Sequence, residues 1–160
     1  MTVIKDLPAN NQLEYFIEQA RQSTAITTAV VHPVEGNGLA GALEAAKQGL
    51  INPILIGPEH KIRQASEEIN ADRNGIKIIN TEHSHEAAEV ACDIVRQGDA
   101  QALMKGSLGT SELLGAVLNK EKGIRTERRL SHMFVFDVPN YHKPLIITDA
   151  AINVVPDLYT

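Results

Sequence analysis

Sulfhydryl chemistry is nearly missing from this chain, whose one cysteine is Cys92. A single cysteine excludes an intrachain disulfide and fits a reducing compartment. Excess positive charge is missing too: 20 acidic against 15 basic residues leave a formal net charge of -5. That balance argues against a nucleic-acid or anionic-membrane partner, so any anion site must come from a local cluster. No apolar run approaches the ~20 residues of a membrane span. The start, MTVIKDLPAN, lacks the cationic and apolar stretches of a secretory signal. Repeats and low-complexity tracts do not occur. These absences point to a soluble, cytoplasmic, globular protein. What is present is 160 residues, 43% of them apolar, enough for one ordinary domain with its own core.

The apolar residues are arranged in two periods. Leu13, Phe16, Ile17 and Ala20 share one face of a helix over 13–21. AITTAVV, NPILIG, IKIIN and ALMKG read as four short strands. Between them lie the helical segments LAGALEAAKQG, PEHKIRQASEEI and HSHEAAEVACDIVRQG. Gly49 and Gly98 are placed to close two of these helices, Pro58 sits at a first turn, and Ser84 is a candidate N-cap. A further helix is expected from about Thr110 to Asn119. This alternation predicts an α/β fold: a mostly parallel sheet with helices on both faces. The rhythm then breaks. HMFVFDVP and PLIITDAA are joined only by NYHK, too short for a parallel crossover, so they are expected to pair as an antiparallel hairpin near the C-terminus within a mixed sheet. The expected division is an α/β domain over 1–130 and, over 131–160, hairpin strands leading toward a second domain that this chain lacks.

Three stretches carry candidate chemistry. GNGLAG, Gly36 to Gly41, matches the dinucleotide-binding pattern, with Glu59 near the position of a ribose-binding carboxylate. The residues HPVE separate it from the strand end, whereas the first glycine of that pattern should make the tight turn there. Gly41 is as well explained by close helix–sheet packing. TEHSHEAAE offers His83 and His85, but ligands two residues apart at a helix entrance do not converge as a metal site requires, and no metal is expected. Cys92, on the apolar face of that helix, reads as a buried small hydrophobe.

The third stretch is ALMKGSLGTSELLGA. Lys105 ends a strand, Gly106 and Gly109 leave the backbone bare, Ser107 and Thr110 offer hydroxyls, and a helix begins. Backbone N–H groups at a helix N-terminus bind anions, and strand carboxyl ends are where α/β sheets hold ligands. It is not a Walker A loop, because its lysine precedes the glycines. The plain alternative is an ordinary turn capped by Thr110 or Ser111. Downstream, Lys120, Lys122, Arg125, Arg128 and Arg129 form a basic run in an acidic protein, which suits a phosphorylated ligand.

From ALMKGSLGTSELLGA through the basic run to HMFVFDVPNYHKPLIITDAAINVVPDL, the chain resembles the phosphate acetyl/butyryltransferase family. VVHPVE and GALEAAKQGLINPILIGPEHKI fit the same family in the same order. The likeness is greatest to phosphate butyryltransferases and to the phosphotransacetylase half of bifunctional hydratase/phosphate acetyltransferases. What the resemblance implies is transfer of an acyl group from CoA to inorganic phosphate, by direct attack on the thioester, with no metal, no acyl-enzyme and no cofactor beyond CoA as substrate. It implies a first domain of the isocitrate/isopropylmalate dehydrogenase type, an active site in a cleft between two domains, and a homodimer for the full-length enzyme. Family members continue into a second half that carries a catalytic serine and aspartate, which would lie beyond Thr160; this chain matches the N-terminal half. By resemblance, Lys105, Gly106, Ser107 and Thr110 form the anion loop. Arg128, Arg129, Ser131 and His132 enter the hairpin, and Thr148, Asp149 and Asn153 face the cleft. The plain alternative for Asp149 and Asn153 is a self-bonded turn at a strand end. The helix after the loop reads ELLGA where the acetyltransferase branch carries an arginine, which favours the butyryl-like or bifunctional branch. A dehydrogenase using Gly36 to Gly41 and a non-catalytic binding or assembly module are the competing readings.

Overall fold

The computed structural model describes residues 12–149, 151–153 and 155. They form two compact units, one of residues 24–125 and one drawn from 1–23 together with 126–160.

The first unit is built on four strands: β1 (Ile26–Val31), β2 (Ile51–Gly57), β3 (Lys77–Asn80) and β4 (Ala102–Lys105). All pair in parallel, in the order β3-β2-β1-β4. Their apolar runs are continuous because helices cover both faces. On one face, α2 (Gly36–Lys47) and α3 (Glu59–Glu68) bring Leu39, Ala42, Ile62 and Ala65 against Val30 and Leu55. On the other, α4 (Ser84–Gln97) brings Ala87, Ala88, Ala91 and Ile94 against Ala29, Val31, Ile54 and Ile56. The alternate residues of β1 and β2 thus feed opposite cores. Beside α4 packs α5 (Thr110–Val117), with Leu113 and Ala116 on the same core.

Short-range signals end the helices as expected. Gly49, at φ 74°, closes α2: its N–H donates to Ala46 O and that of Leu50 to Ala45 O. Gly98, at φ 85°, does the same for α4. The helix starts differ from expectation. Pro58 stands just outside α3 as its cap residue, and α4 is preceded by His83 with no side-chain cap, because the Ser84 hydroxyl is used elsewhere. The last helix stops at Val117 rather than Asn119.

The second unit holds α1 (Gln12–Arg21), β5 (Met133–Phe136) and β6 (Leu145–Thr148). The two strands pair antiparallel, as the short connector requires, with Met133 opposite Thr148 and Phe136 opposite Leu145. They form their own two-stranded sheet, so the expectation of one mixed sheet is corrected. The connector's length fixes only that the strands pair with each other; no edge of the four-stranded sheet is specified by it. Among the described residues, no helix is long and apolar enough to cross a membrane.

Candidate functional site

Chain order and strand order diverge at β1. The chain runs β1 to β2 to β3 on one side and then crosses to β4 on the other. The carboxyl ends of β1 and β4 therefore flank the topological switch point, where open α/β sheets bind ligands. Lys105 to Thr110 leaves the sheet there.

The loop is tied to β1 by continuing the parallel ladder past the strand ends. Gly106 N–H donates to Val31 O at 2.8 Å and Ser107 N–H to His32 O at 2.9 Å. A Cβ on Gly106 would stand 2.6 Å from Val31 O and 2.8 Å from His32 O, so only glycine fits. Leu108 is buried in the α4-side core and pins the loop. Gly109 is the residue before α5, and no side chain caps that helix, so the turn capped by Thr110 or Ser111 is not what forms. Thr110 and Ser111 are both exposed. The Lys105 ammonium folds over its own loop, donating to Gly106 O at 3.2 Å and Leu108 O at 3.0 Å. Two of its three N–H donors thus brace the loop while its charge stays at the mouth.

Two neighbours were not legible as site residues. Ser84, in the first turn of α4, donates to Glu112 Oε1 in the first turn of α5 at 2.6 Å. That bond holds the two helix starts together and places a carboxylate near the loop. His32 follows β1 in the left-handed backbone region, at φ 55°, and is 9% exposed. Among the described residues its Nδ1 is buried without a hydrogen-bond partner. The sequence signal was a histidine at a strand end before Pro33, but burial and strand adjacency are not readable there.

Burial, then the Lys61 charge, pushes the His32 imidazole below its ordinary 6.5, while Glu112 and Glu35 oppose. The unfolded chain therefore binds a proton more readily than the folded one. Stability from this group is complete above about 6.5 and is lost as pH falls through the lower folded value. We expect thermal melts between pH 7.5 and 5.5 to show a steeper loss for the wild type than for His32→Asn, which tolerates the same backbone. Equal slopes would remove His32 as the source.

The glycines of GNGLAG serve packing. A Cβ on Gly36 would meet Ile69 at 2.8 Å, and one on Gly38 would stand 3.3 Å from Gly106 Cα; Gly41 faces Met104. Gly36 itself begins α2, four residues after His32 rather than at the strand end. His83 and His85 stack at 5.4 Å, and among the described residues no group of three potential ligands gathers for a metal. Cys92 is buried; burial foremost, with Asp93 next, pushes its thiol up, the reverse of an activated nucleophile.

The basic run divides between the units. In the first, the Lys122 carbonyl accepts from Arg96, and Lys122 Nζ lies 4.0 Å from Glu89. Lys120 and Arg125 are exposed. In the second unit, Arg128 N–H donates to Thr126 Oγ1, and Arg128, Arg129, Ser131 and Thr148 are exposed. His132 O accepts the Asp149 N–H at 2.6 Å, and its ring meets Phe134 edge-on at 4.0 Å. Asp149 is buried at φ 53°. Its carboxylate accepts from Asn153 N–H at 3.2 Å and from Asn153 Nδ2, which also donates to Leu130 O at 3.1 Å. Asp149 and Asn153 therefore close a turn between the entrance and exit of the hairpin. The sequence-predicted residues thus form two groups: Lys105, Gly106, Ser107 and Thr110 on one loop, and Arg128, Arg129, Ser131, His132, Thr148, Asp149 and Asn153 around the hairpin.

These features define an α/β protein with a bare-backbone loop at its switch point. No family model matches the chain. It is 46% identical over 158 residues to a phosphate acetyltransferase of Rickettsia felis, covering 97% of this chain and 45% of that protein. It is 34% identical over 140 residues to a phosphate butyryltransferase of Clostridium beijerinckii, covering 88% of this chain and 45% of that one. A solved branched-chain phosphotransacylase from Enterococcus faecalis superposes with a TM-score of 0.65 at 25% identity, covering 82% of this chain and 45% of that chain. The chain belongs to the phosphate acetyl/butyryltransferase family, and it spans about half the length of the curated relatives it matches.

Proposed function

We propose that this chain forms the phosphate-holding part of a phosphate acyltransferase, which turns acyl-CoA and inorganic phosphate into acyl phosphate and CoA. The observation that carries this reading is the Gly106–Thr110 backbone at the switch point, uncapped and braced by Lys105, in a chain whose relatives are phosphate acetyl- and butyryltransferases. Gly106 N–H and Ser107 N–H are used on the β1 end, so it is the N–H groups opening α5, with the helix dipole, that favour an anion there. Holding phosphate in place lets one of its oxygens attack the thioester carbonyl. The new O–C bond forms, the C–S bond breaks, and the phosphate proton ends on the CoA sulfur. Positioning and charge stabilisation suffice, so no metal or cofactor is invoked, and CoA is a substrate. Arg128, Arg129, Ser131, His132, Thr148, Asp149 and Asn153 are proposed as further phosphate or CoA contacts, the catalytic serine and aspartate belonging to the family's other half. A cytoplasmic location, and a homodimer in a full-length enzyme, complete the reading.

The test is to mix the 160-residue chain with acetyl-CoA or butyryl-CoA and phosphate and follow thiol release. Phosphate should bind, with little or no phosphate-dependent turnover, because the site needs a second wall. Rapid phosphate-dependent turnover by this chain would show that the second wall is dispensable. Absence of phosphate binding would remove the loop from the reaction.

A further inference from the structure

His32 has features that the phosphate-loop reading does not use. It is a non-glycine residue held at φ 55°, a backbone state that costs energy and persists where the surroundings over-determine it, often at functional sites. Its N–H donates to Ile56 O at 2.7 Å, and its carbonyl accepts from Ser107 N–H at 2.9 Å and from Val34 N–H at 2.9 Å. The residue is therefore clamped between β2 and the phosphate loop at the switch point. Gly57, whose missing Cβ would lie 3.5 Å from Nδ1 and 3.3 Å from His32 Cα, makes the room for it.

The charges that act on the ring come from Lys61 on α3, Glu112 on α5 and Glu35 before α2. Its Nδ1 is buried and, among the described residues, unpartnered. A proton on that nitrogen would leave a buried donor with no acceptor, which is costly. The proton of the uncharged ring therefore belongs on Nε2, making Nε2–H a donor with a fixed tautomer.

We propose that His32 is a binding residue of the phosphate site, donating from Nε2–H to an oxygen of a phosphoryl group seated at the Gly109–Thr110 start of α5. The inference rests on the phosphate acyltransferase reading and adds to it the side chain of a residue tied to the loop by a main-chain hydrogen bond. The shared chemistry is a phosphoryl oxygen, whether of inorganic phosphate or of a CoA phosphate.

The experiment titrates the 160-residue chain with inorganic phosphate and, separately, with CoA, by calorimetry, while ring nitrogens are followed by nitrogen-15 NMR. His32→Asn keeps the left-handed backbone but is too short to reach where Nε2 stands. It should weaken binding about tenfold, the worth of one such hydrogen bond. His32→Gln, with its longer reach, should restore part of the loss. The wild-type ring should show the Nε2–H tautomer, and phosphate should shift the Nε2 signal. A loss confined to the CoA titration would identify a CoA phosphate as the source. An unmoved ring signal, with His32→Asn binding phosphate and CoA as the wild type does, would overturn the role of His32 and leave the phosphate loop standing. Absence of phosphate and CoA binding by the wild type would overturn both.

Discussion

Gly106→Ala should be among the most damaging single-methyl additions in the chain. The new Cβ would stand 2.6 Å from Val31 O, 2.8 Å from His32 O and 2.9 Å from His32 C. All three are backbone atoms of the β1 end, which is buried and hydrogen-bonded to two neighbours, so nothing flexible can swing aside. Relief requires the loop to lift off β1, breaking the Gly106–Val31 and Ser107–His32 hydrogen bonds. Overpacking alone costs about 1–3 kcal/mol, and each bond lost adds about 1 kcal/mol. A loss of about 3 kcal/mol or more should lower the melting temperature by on the order of 10 °C. The contrast is Gly115→Ala. That Cβ meets nothing within 4 Å, in the interior of α5. Alanine there should be neutral or gain up to ~1 kcal/mol. Thermal melts of the two variants check this, and a Gly106→Ala protein as stable as the wild type would show that the β1–β4 junction is not closed as described.

Lys105→Ala should weaken phosphate binding by about ten- to a hundredfold, since a charge-assisted contact is worth about 1.5–3 kcal/mol. Two effects contribute. The charge at the loop mouth disappears, and with it the brace from Nζ to the carbonyls of Gly106 and Leu108. They separate by salt. The charge component shrinks as ionic strength rises, because exposed charges are screened beyond ~10 Å at 0.1 M, whereas the brace component does not. Lys105 is exposed, so its removal should lower the melting temperature far less than Gly106→Ala does. Calorimetry at low and high salt measures both. An unchanged affinity at low salt would return the stretch to an ordinary strand-to-helix turn. In a full-length relative, the equivalent change should raise the phosphate KM or lower kcat with the fold intact.

Much of the fold was legible in the residues because the relevant signals are short-ranged. The continuous apolar runs of β1 and β2 marked strands covered on both faces. The 3.6-residue spacing of α4 marked its buried Ala87, Ala88 and Ala91 side. Gly49 and Gly98 marked helix ends because only glycine enters the left-handed region cheaply. The length of the NYHK connector was enough to make β5 and β6 antiparallel. Helix starts were read less well. A capping hydroxyl competes with every other acceptor within reach, and Ser84 finds Glu112, 28 residues away.

The loop's chemistry was also local: a lysine, two glycines, hydroxyls and a helix start lie within six residues. What the sequence by itself determined is therefore the alternation of elements, the hairpin and the candidate anion loop. The tertiary structure alone decided that β4 crosses over to lie beside β1, which turns an anion-compatible loop into a switch-point loop. It also placed Gly38 against Gly106, so that a dinucleotide-like glycine run proves to be a packing surface, and it buried His32 with an unpaired nitrogen beside the loop. The hairpin's separation into its own sheet belongs to the same group. The physical reason is common to all four: strand order, close backbone approach and loss of solvent arise between residues far apart in the chain, where periodicity and turn chemistry carry no information.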